Sequence, residues 1–163
     1  MLLKIKNKDT LIIDDFEFRC CIGRNGIKKG KQEGDGCTPK GTFKIGSIYW
    51  RRDRVPKLNC KLKSKVITKN MGWCNDKNSK LYNKQINLDN KINSEKLFRK
   101  DHKYNYFIEI LYNREKIVKN KGSAIFLHLT KNYKPTAGCI AIKQKDFVVI
   151  CKLINKNSKI LIS

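Results

Sequence analysis

Cys139 differs from the other six of the seven cysteines because its sequence context predicts an accessible thiol. The residues before it, 135–138 (Pro-Thr-Ala-Gly), are small or turn-forming and leave room for a substrate beside the sulfur. Gly138 lets the backbone turn its amide groups toward one point, which is the geometry that an oxyanion hole needs for a tetrahedral acyl intermediate. His128 ends the apolar segment 124–127. A strand, a loop and a return strand would bring its imidazole to the sulfur, where it would take the thiol proton.

Cys139 and His128 could also be structural residues with no catalytic role. Cys139 could be a buried core thiol and His128 a hydrogen-bonded histidine at a strand edge, because one cysteine and one histidine are a weak signal by spacing alone. The other cysteines have no regular spacing and form no Cys-x-x-Cys pair, and the chain has two histidines. We therefore expect no disulfide framework and no metal site, and we interpret most of the thiols as small buried hydrophobes.

Short alternating apolar segments predict the strands that must position Cys139 and His128. Strands are predicted at 2–6, 11–13, 16–22, 42–49, 61–68, 106–112, 123–129 and 159–162. Helices are predicted over 147–154 and over 94–99, where Ser94 can cap the first turn. Six glycines between positions 23 and 41 predict a long irregular loop. With its lysines, this loop is either a flexible basic flap that closes on a ligand or a solvated surface loop.

The charge of the chain indicates which partners it attracts. Among 163 residues, 37 are basic and 14 acidic, which gives a net charge of +23. The lysines are spread along the chain, so we expect nonspecific attraction to anionic polymers and no dedicated nucleic-acid site.

No apolar stretch approaches the roughly 20 residues of a transmembrane helix. The first ten residues lack the apolar core of a secretory signal, so the sequence by itself predicts a cytoplasmic protein.

Several ordered segments of the chain resemble one family of enzymes. Residues 38–43 (Thr-Pro-Lys-Gly-Thr-Phe) are similar to a Thr-Pro-x-Gly-x-Phe turn and strand, and 124–128 is similar to a strand that delivers a catalytic histidine. Residues 136–139 (Thr-Ala-Gly-Cys) stand where a Ser/Thr-His-Gly-Cys signature falls. Further similar segments are 33–36, 71–76, 82–83 and 122–123. Together they resemble the L,D-transpeptidase catalytic domain, the YkuD-like family of cysteine acyltransferases, in its single-domain bacterial branch.

This resemblance implies a mostly β fold, a curved β-sandwich with one or two helices, built as a single domain over residues 1–163. It implies that Cys139 is the nucleophile, that His128 is the general base and then the acid, and that Gly138 and Cys139 supply the N–H groups of the oxyanion hole. The implied reaction is L,D-transpeptidation, in which a peptidoglycan stem peptide forms a thioester with Cys139 and an amine resolves it. No cofactor is implied, and the implied role is cell wall biogenesis at the cell envelope or in the periplasm.

Two other functions stay open for the same residues. A carboxypeptidase or amidase would resolve the thioester with water, and a non-catalytic module would keep the fold and use its charge to bind polyanions. The chain also departs from the family pattern at two positions, since Ala137 replaces the signature histidine and Ala141 replaces an arginine that commonly follows the cysteine by two places. Such an arginine positions substrate, so its loss leaves the acyl donor open.

Five further residues are candidates for binding substrate in a cleft: Trp73, Asp76, Tyr82, His102 and Thr136. The first four fit equally well as fold-stabilising aromatic residues or as loop residues that form hydrogen bonds. Thr136 belongs to the signature segment itself, next to the predicted nucleophile.

Overall fold

The computed structural model describes residues 1–89 and 91–163, and most of the regular structure in them is β-strand. The strands in these ranges are β1 (Leu2–Lys6), β2 (Thr10–Ile13), β3 (Phe16–Cys21), β4 (Ile27–Lys28), β5 (Thr38–Pro39), β6 (Gly41–Trp50), β7 (Ser64–Val66), β8 (Met71–Cys74), β9 (Gln85–Asn87), β10 (Ser94–Lys96), β11 (Tyr106–Ile110), β12 (Phe126–Leu129), β13 (Ile140–Ile142) and β14 (Lys159–Ile162). The described residues form one helix, α1 (Gln144–Leu153). The predicted mostly β fold with one or two helices is confirmed.

The largest sheet curves until it closes on itself. Its nine strands follow the order β11-β12-β13-β3-β2-β1-β14-β6-β7, and β11 also pairs with β6. Successive side chains of a strand point to opposite faces. In β1 and β2 this alternation buries Leu3, Ile5, Leu11 and Ile13 inside the closed sheet. The apolar alternation in the sequence therefore determines which side of each strand faces the core.

The helix α1 packs onto the core that the closed sheet surrounds. Its buried residues are Phe147, Ile150 and Cys151, which lie on one face of the helix and belong to the same apolar cluster as the inward residues of β1 and β2. After the helix, β14 pairs in parallel with β1 and antiparallel with β6. The predictions of a helix face in this region and of a last strand at 159–162 are both confirmed.

A second apolar cluster lies on the opposite face of β6, β11 and β12. Tyr49, Phe107 and Phe126 belong to it, whereas their chain neighbours Ile48, Ile108 and Leu127 belong to the enclosed core. The cluster also contains Trp73 of β8 and Leu97, which follows β10, so the three-stranded sheet β10-β8-β9 contributes to it. Cys139 is half-buried and packs against this second cluster.

The predicted helix over 94–99 is wrong, because β10 (Ser94–Lys96) occupies its first half. Ser94, Glu95 and Lys96 pair antiparallel with β8, and Leu97 is fully buried in the second cluster. A helix of six residues is too short to be stable on its own. Pairing with β8 and the burial of one leucine therefore outweigh the capping signal of Ser94.

The strand predicted at 123–129 begins later than expected. Ala124 has a φ of +52°, a left-handed conformation that costs energy for a residue with a side chain, and β12 begins at Phe126. The loop between positions 23 and 41 also contains regular pairing that was not predicted, since β4 and β5 form a short parallel ladder. Both departures lie next to Cys139 or His128.

Candidate active site

Cys139 and His128 lie on the same face of two adjacent strands. β12 and β13 are parallel, and their register places His128 beside Ala141. Cys139 precedes Ala141 by two residues and therefore points to the same face. Both lie in the wall of a cleft of about 400 Å³, here called the Cys139 cleft, together with Thr136 and Gly138.

The thiol of Cys139 makes two hydrogen bonds with the backbone. Its Sγ donates to the carbonyl oxygen of Ala124 at 3.2 Å and accepts from the N–H of Phe126 at 3.4 Å. Burial raises the pKa of Cys139 to about 12, and Glu95 adds to this effect while the N–H of Phe126 opposes it. The thiol is therefore neutral at neutral pH and needs a base to become a nucleophile.

The surroundings of His128 favour a neutral imidazole. Its Nδ1 lies 2.9 Å from the carbonyl oxygen of Leu129, which can only accept, so we assign the proton to Nδ1 and a free lone pair to Nε2. Burial lowers the pKa of His128 to about 4 against the opposing effect of the Leu129 carbonyl, and Lys103 lowers it further. The imidazole is therefore neutral near pH 7 and can accept a proton. The ring also packs edge-on against Tyr104 at a centroid distance of 5.3 Å.

The turn that presents Cys139 needs glycine at position 138. Gly138 has a φ of +145°, and a Cβ there would lie 2.8 Å from the carbonyl oxygen of Cys37. Its N–H, which the family resemblance assigns to the oxyanion hole, donates in this structure to Oγ1 of Thr136 at 3.1 Å. Thr136 Oγ1 in turn donates to the carbonyl oxygen of Cys139 at 2.6 Å. Thr136 thus closes the turn around Cys139 as well as lining the cleft.

Thr38 joins this turn to the glycine-rich loop. The side chain is fully buried, and its hydroxyl accepts from the N–H of Gly23 and donates to the carbonyl oxygen of Gly138, both at 2.8 Å. One hydroxyl therefore satisfies two buried backbone groups and connects segments that are distant in sequence. This contact is a physical reason for a threonine at the start of the Thr-Pro segment.

We expect Thr38→Val to misplace Cys139. Valine keeps the shape of threonine but leaves the N–H of Gly23 and the carbonyl of Gly138 unpaired, which costs about 1–3 kcal/mol of unfolding free energy. Because a small displacement of a nucleophile is costly, kcat falls by about 10- to 100-fold. Thermal denaturation and steady-state kinetics measure the two effects. Thr38→Ser keeps the hydroxyl and retains most of the activity, whereas a fully active Thr38→Val would show that the contact does not position Cys139.

The remaining predicted substrate-binding residues lie outside the wall of the Cys139 cleft. Trp73 is buried in the second cluster, where Nε1 donates to Oδ1 of Asn83 at 2.9 Å. Tyr82 is also buried, and its hydroxyl donates to Glu33. These two aromatic residues support the cleft from behind, because Asn83 also accepts from the N–H of Ala124 and Glu33 lines the cleft.

Asp76 and His102 make local contacts. Oδ1 of Asp76 accepts from the N–H of Asn78 in a surface loop. His102 is exposed, and its Nε2 lies 2.9 Å from the carbonyl oxygen of Thr130. The structure therefore brings together Cys139, His128, Gly138 and Thr136, and it leaves Asp76 and His102 in neighbouring loops.

Most charged residues of the cleft were not found from sequence. Six are basic and two acidic: Arg24, Lys31, Arg99, Lys103, Lys131, Lys134, Glu33 and Glu95. Glu95 accepts from the hydroxyl of Tyr104, and burial raises the pKa of this carboxyl group. The wrong helix prediction over 94–99 concealed Glu95 and Arg99. Glu95 is oriented by the pairing of β10 with β8, and Arg99 follows this strand.

The described part of the chain contains neither a cluster of metal ligands nor a helix suited to span a membrane. Residues 1–89 and 91–163 contain no group of three or more His, Cys, Asp or Glu side chains that could hold a metal ion. Over the same residues, no helix combines the length and the apolar character needed to cross a membrane.

A comparison with models of known protein families identifies the family of this chain. The family model for the L,D-transpeptidase catalytic domain, YkuD, matches residues 3–162, which is essentially the whole chain. The match contains every element of the site, from the glycine-rich loop to β13. No curated protein matches the chain.

Proposed function

The chain belongs to the L,D-transpeptidase catalytic domain family, which acts on peptidoglycan, and from this premise we propose that it is a cysteine acyltransferase acting on stem peptides. The observation that carries the proposal is the pairing of a thiol with a neutral imidazole on one face of β12 and β13. The orientation of the imidazole supports it, since the bond from Nδ1 to Leu129 leaves Nε2 free to accept a proton.

The proposed reaction begins when a substrate enters the Cys139 cleft. The thiol exchanges its hydrogen bond with Ala124 for one with Nε2 of His128, in keeping with catalytic hydrogen bonds that tighten only when substrate is bound. The proton moves to His128, and the sulfur forms a bond to the carbonyl carbon of the diamino acid that precedes a terminal D-alanine. The C–N bond then breaks, and His128 returns the proton to the departing amine of D-alanine. The amine of a second stem attacks the carbonyl carbon of the thioester, and the C–S bond breaks. The amine gives its proton to His128, which passes it to the sulfur and regenerates the thiol.

The charge of the cleft supports an anionic substrate. Arg24, Lys131 and Lys134 line it, and the terminal D-alanine carries a carboxylate. These residues supply positive charge near the nucleophile without the arginine that Ala141 replaces. Attraction of this kind weakens as salt is added. Because peptidoglycan is the substrate, we propose that the protein acts in the cell envelope.

The pH dependence of kcat/KM follows from His128. Its pKa is lowered to about 4 by burial, so the imidazole can accept a proton above that pH and cannot below it. We therefore expect kcat/KM to rise with pH around pH 4 and to stay level through neutral pH, because this parameter reports the free enzyme. Initial rates between pH 3.5 and 8, with tryptophan fluorescence to verify folding, measure the profile. A midpoint near 6.5 would show a histidine that is exposed to water and would contradict the buried base.

Incubation with defined muropeptides tests the proposed function. The protein is mixed with tetrapeptide stems, and the products are identified by mass spectrometry. Transpeptidation gives cross-linked dimers together with free D-alanine. Truncated monomers without dimers would identify a hydrolase on the same scaffold. Binding to the polymer with no product from a folded protein would identify a non-catalytic polyanion-binding module.

A further inference from the structure

Lys31 is a buried lysine beside the proposed nucleophile. Only 3% of the residue is exposed, although lysine is among the residues least often buried. Its Nζ donates to Oδ1 of Asp35 at 2.6 Å and to the carbonyl oxygen of Gln32 at 3.2 Å. An ammonium group has three N–H donors. Among the described residues, Lys31 donates to these two acceptors. One N–H therefore remains for a ligand.

Two glycines make the space in which this side chain reaches the site. A Cβ on Gly122 would lie 2.8 Å from Cε of Lys31, and a Cβ on Gly138 would lie 3.5 Å from its Nζ. The aliphatic part of Lys31 thus crosses Gly122, and the ammonium lies against the residue that precedes Cys139. Lys31 also lines the Cys139 cleft. Its positive charge is therefore placed at the turn that presents the sulfur.

Asp35 holds the ammonium from the side away from the cleft. Its two oxygens accept from Lys31, from the N–H of Gln32 at 2.8 Å and from the N–H of Cys37 at 3.0 Å. Partial burial acts to raise the pKa of Asp35, but the hydrogen bonds from Gln32, Lys31 and Cys37 outweigh it and lower the pKa. The carboxylate is therefore ionised at neutral pH. Lys31 lines the cleft and Asp35 does not, so the positive end of the pair faces the substrate.

We propose that Lys31 is a catalytic residue that stabilises the negative charge developing first on Sγ of Cys139 and then on the acyl oxygen. The inference rests on the proposed function. When the sulfur gives its electron pair to the carbonyl carbon, the π pair moves to the oxygen, and the free N–H of Lys31 donates to that oxygen without losing its proton. When the oxyanion collapses, the C–N bond breaks and His128 protonates the amine. Fixed positive charge at this point lowers the barrier because it needs no rearrangement during the reaction.

The charges around the sulfur explain why this role is needed. His128 is neutral, and Glu95, hydrogen-bonded to Tyr104, lies close enough to oppose a thiolate. Arg99 and Lys103 line the same cleft, but their charges act on His128, whose pKa they lower. Lys31 is the buried cation beside Gly138, and its charge favours the thiolate of Cys139.

Two variants that break the same ion pair separate this role from a structural one. The readout is the rate at which iodoacetamide, a neutral reagent, alkylates Cys139 at pH 8, followed by peptide mass mapping. The measurements use a Cys60→Ser background, because a hydrogen bond from Cys151 lowers the pKa of Cys60 to about 7 and makes that thiol a competitor. Below the pKa of a thiol the rate follows the thiolate fraction, so one pKa unit changes it about tenfold.

We expect Lys31→Met to slow alkylation of Cys139 by about tenfold and Asp35→Asn, which keeps the ammonium and removes its counter-charge, to accelerate it by about threefold or more. Lys31→Arg keeps the charge and stays within about threefold of the parent. If Lys31 only held the loop, Lys31→Met and Asp35→Asn would change the rate in the same direction, and that result overturns the inference. So does an unchanged rate in Lys31→Met.

Circular dichroism and thermal melting verify that each variant is folded. Should Lys31→Met fail to fold, Asp35→Asn decides, and the absence of acceleration in that variant overturns the inference. Turnover of a tetrapeptide stem by the parent is measured in parallel. If the parent shows no turnover while the alkylation rates shift as expected, the proposed function fails and the effect of Lys31 on the thiol stands. If the parent turns over the stem while Lys31→Met and Asp35→Asn are alkylated at the parent's rate, the proposed function stands and the inference about Lys31 fails.

Discussion

Cys139→Ser and Cys139→Ala are expected to abolish acyl transfer, with a loss of at least about 1,000-fold in kcat, because no covalent intermediate can form through the thiol. Neither change should unfold the protein. Cys139 is half-buried at the border of the second cluster, and both replacements are smaller than cysteine. Product formation from tetrapeptide stems, measured by liquid chromatography and mass spectrometry, gives the loss directly.

Cys60→Ser is the matched control for this prediction. Cys60 is also half-buried and also packs against an apolar cluster, but it belongs to the enclosed core rather than to the cleft. Its replacement should lower thermal stability slightly and leave kcat within about twofold of the parent, as expected for a site remote from the chemistry. Activity that survives in Cys139→Ala, or disappears in Cys60→Ser, would remove Cys139 from the role of nucleophile.

His128→Gln is expected to lower kcat by about 100- to 10,000-fold, the range that a general base contributes. Glutamine keeps a polar side chain of similar length beside Tyr104 but cannot take the proton of the thiol. The loss should appear in kcat rather than in KM, because the proton transfer occurs after the substrate is bound. Steady-state kinetics on the tetrapeptide stem separate the two parameters.

His102→Gln is the matched control for the histidine. His102 is the second histidine of the chain, and it is exposed, with its Nε2 near the carbonyl of Thr130. Since a glutamine amide can also donate to that carbonyl, we expect little change in kcat. A large loss in His102→Gln together with an active His128→Gln would exchange the roles of the two histidines.

The parts of the site that are local in sequence could be predicted from it. The alternation in β1 and β14 reflects one buried and one more exposed face, and the sequence predicted both strands closely. The small residues before Cys139 and the apolar segment before His128 also form local patterns. The structure places both residues in the wall of one cleft.

The parts that depend on distant contacts could not be predicted. A lysine is normally solvated, so nothing in the sequence around Lys31 indicates that Gly122 and Gly138 provide a buried path for it. Trp73 was a candidate for lining the cleft, with a fold-stabilising aromatic residue as the alternative. It lies in the core because the sheet of β8 covers the outer face of β12. The position of Glu95 in the site follows from the pairing of β10 with β8. The sequence did not indicate this pairing, because Ser94 resembled the cap of a helix.

Trapping the acyl-enzyme is the most direct test that Cys139 carries out the reaction. The parent protein is mixed with a tetrapeptide stem, quenched in acid within the first turnovers, and measured as the intact protein and after digestion. We expect an added mass equal to the stem without its terminal D-alanine, on the peptide that contains Cys139, and no such mass in Cys139→Ala. The same added mass on another cysteine, or free D-alanine released by a protein that never carries it, would contradict acyl transfer through Cys139.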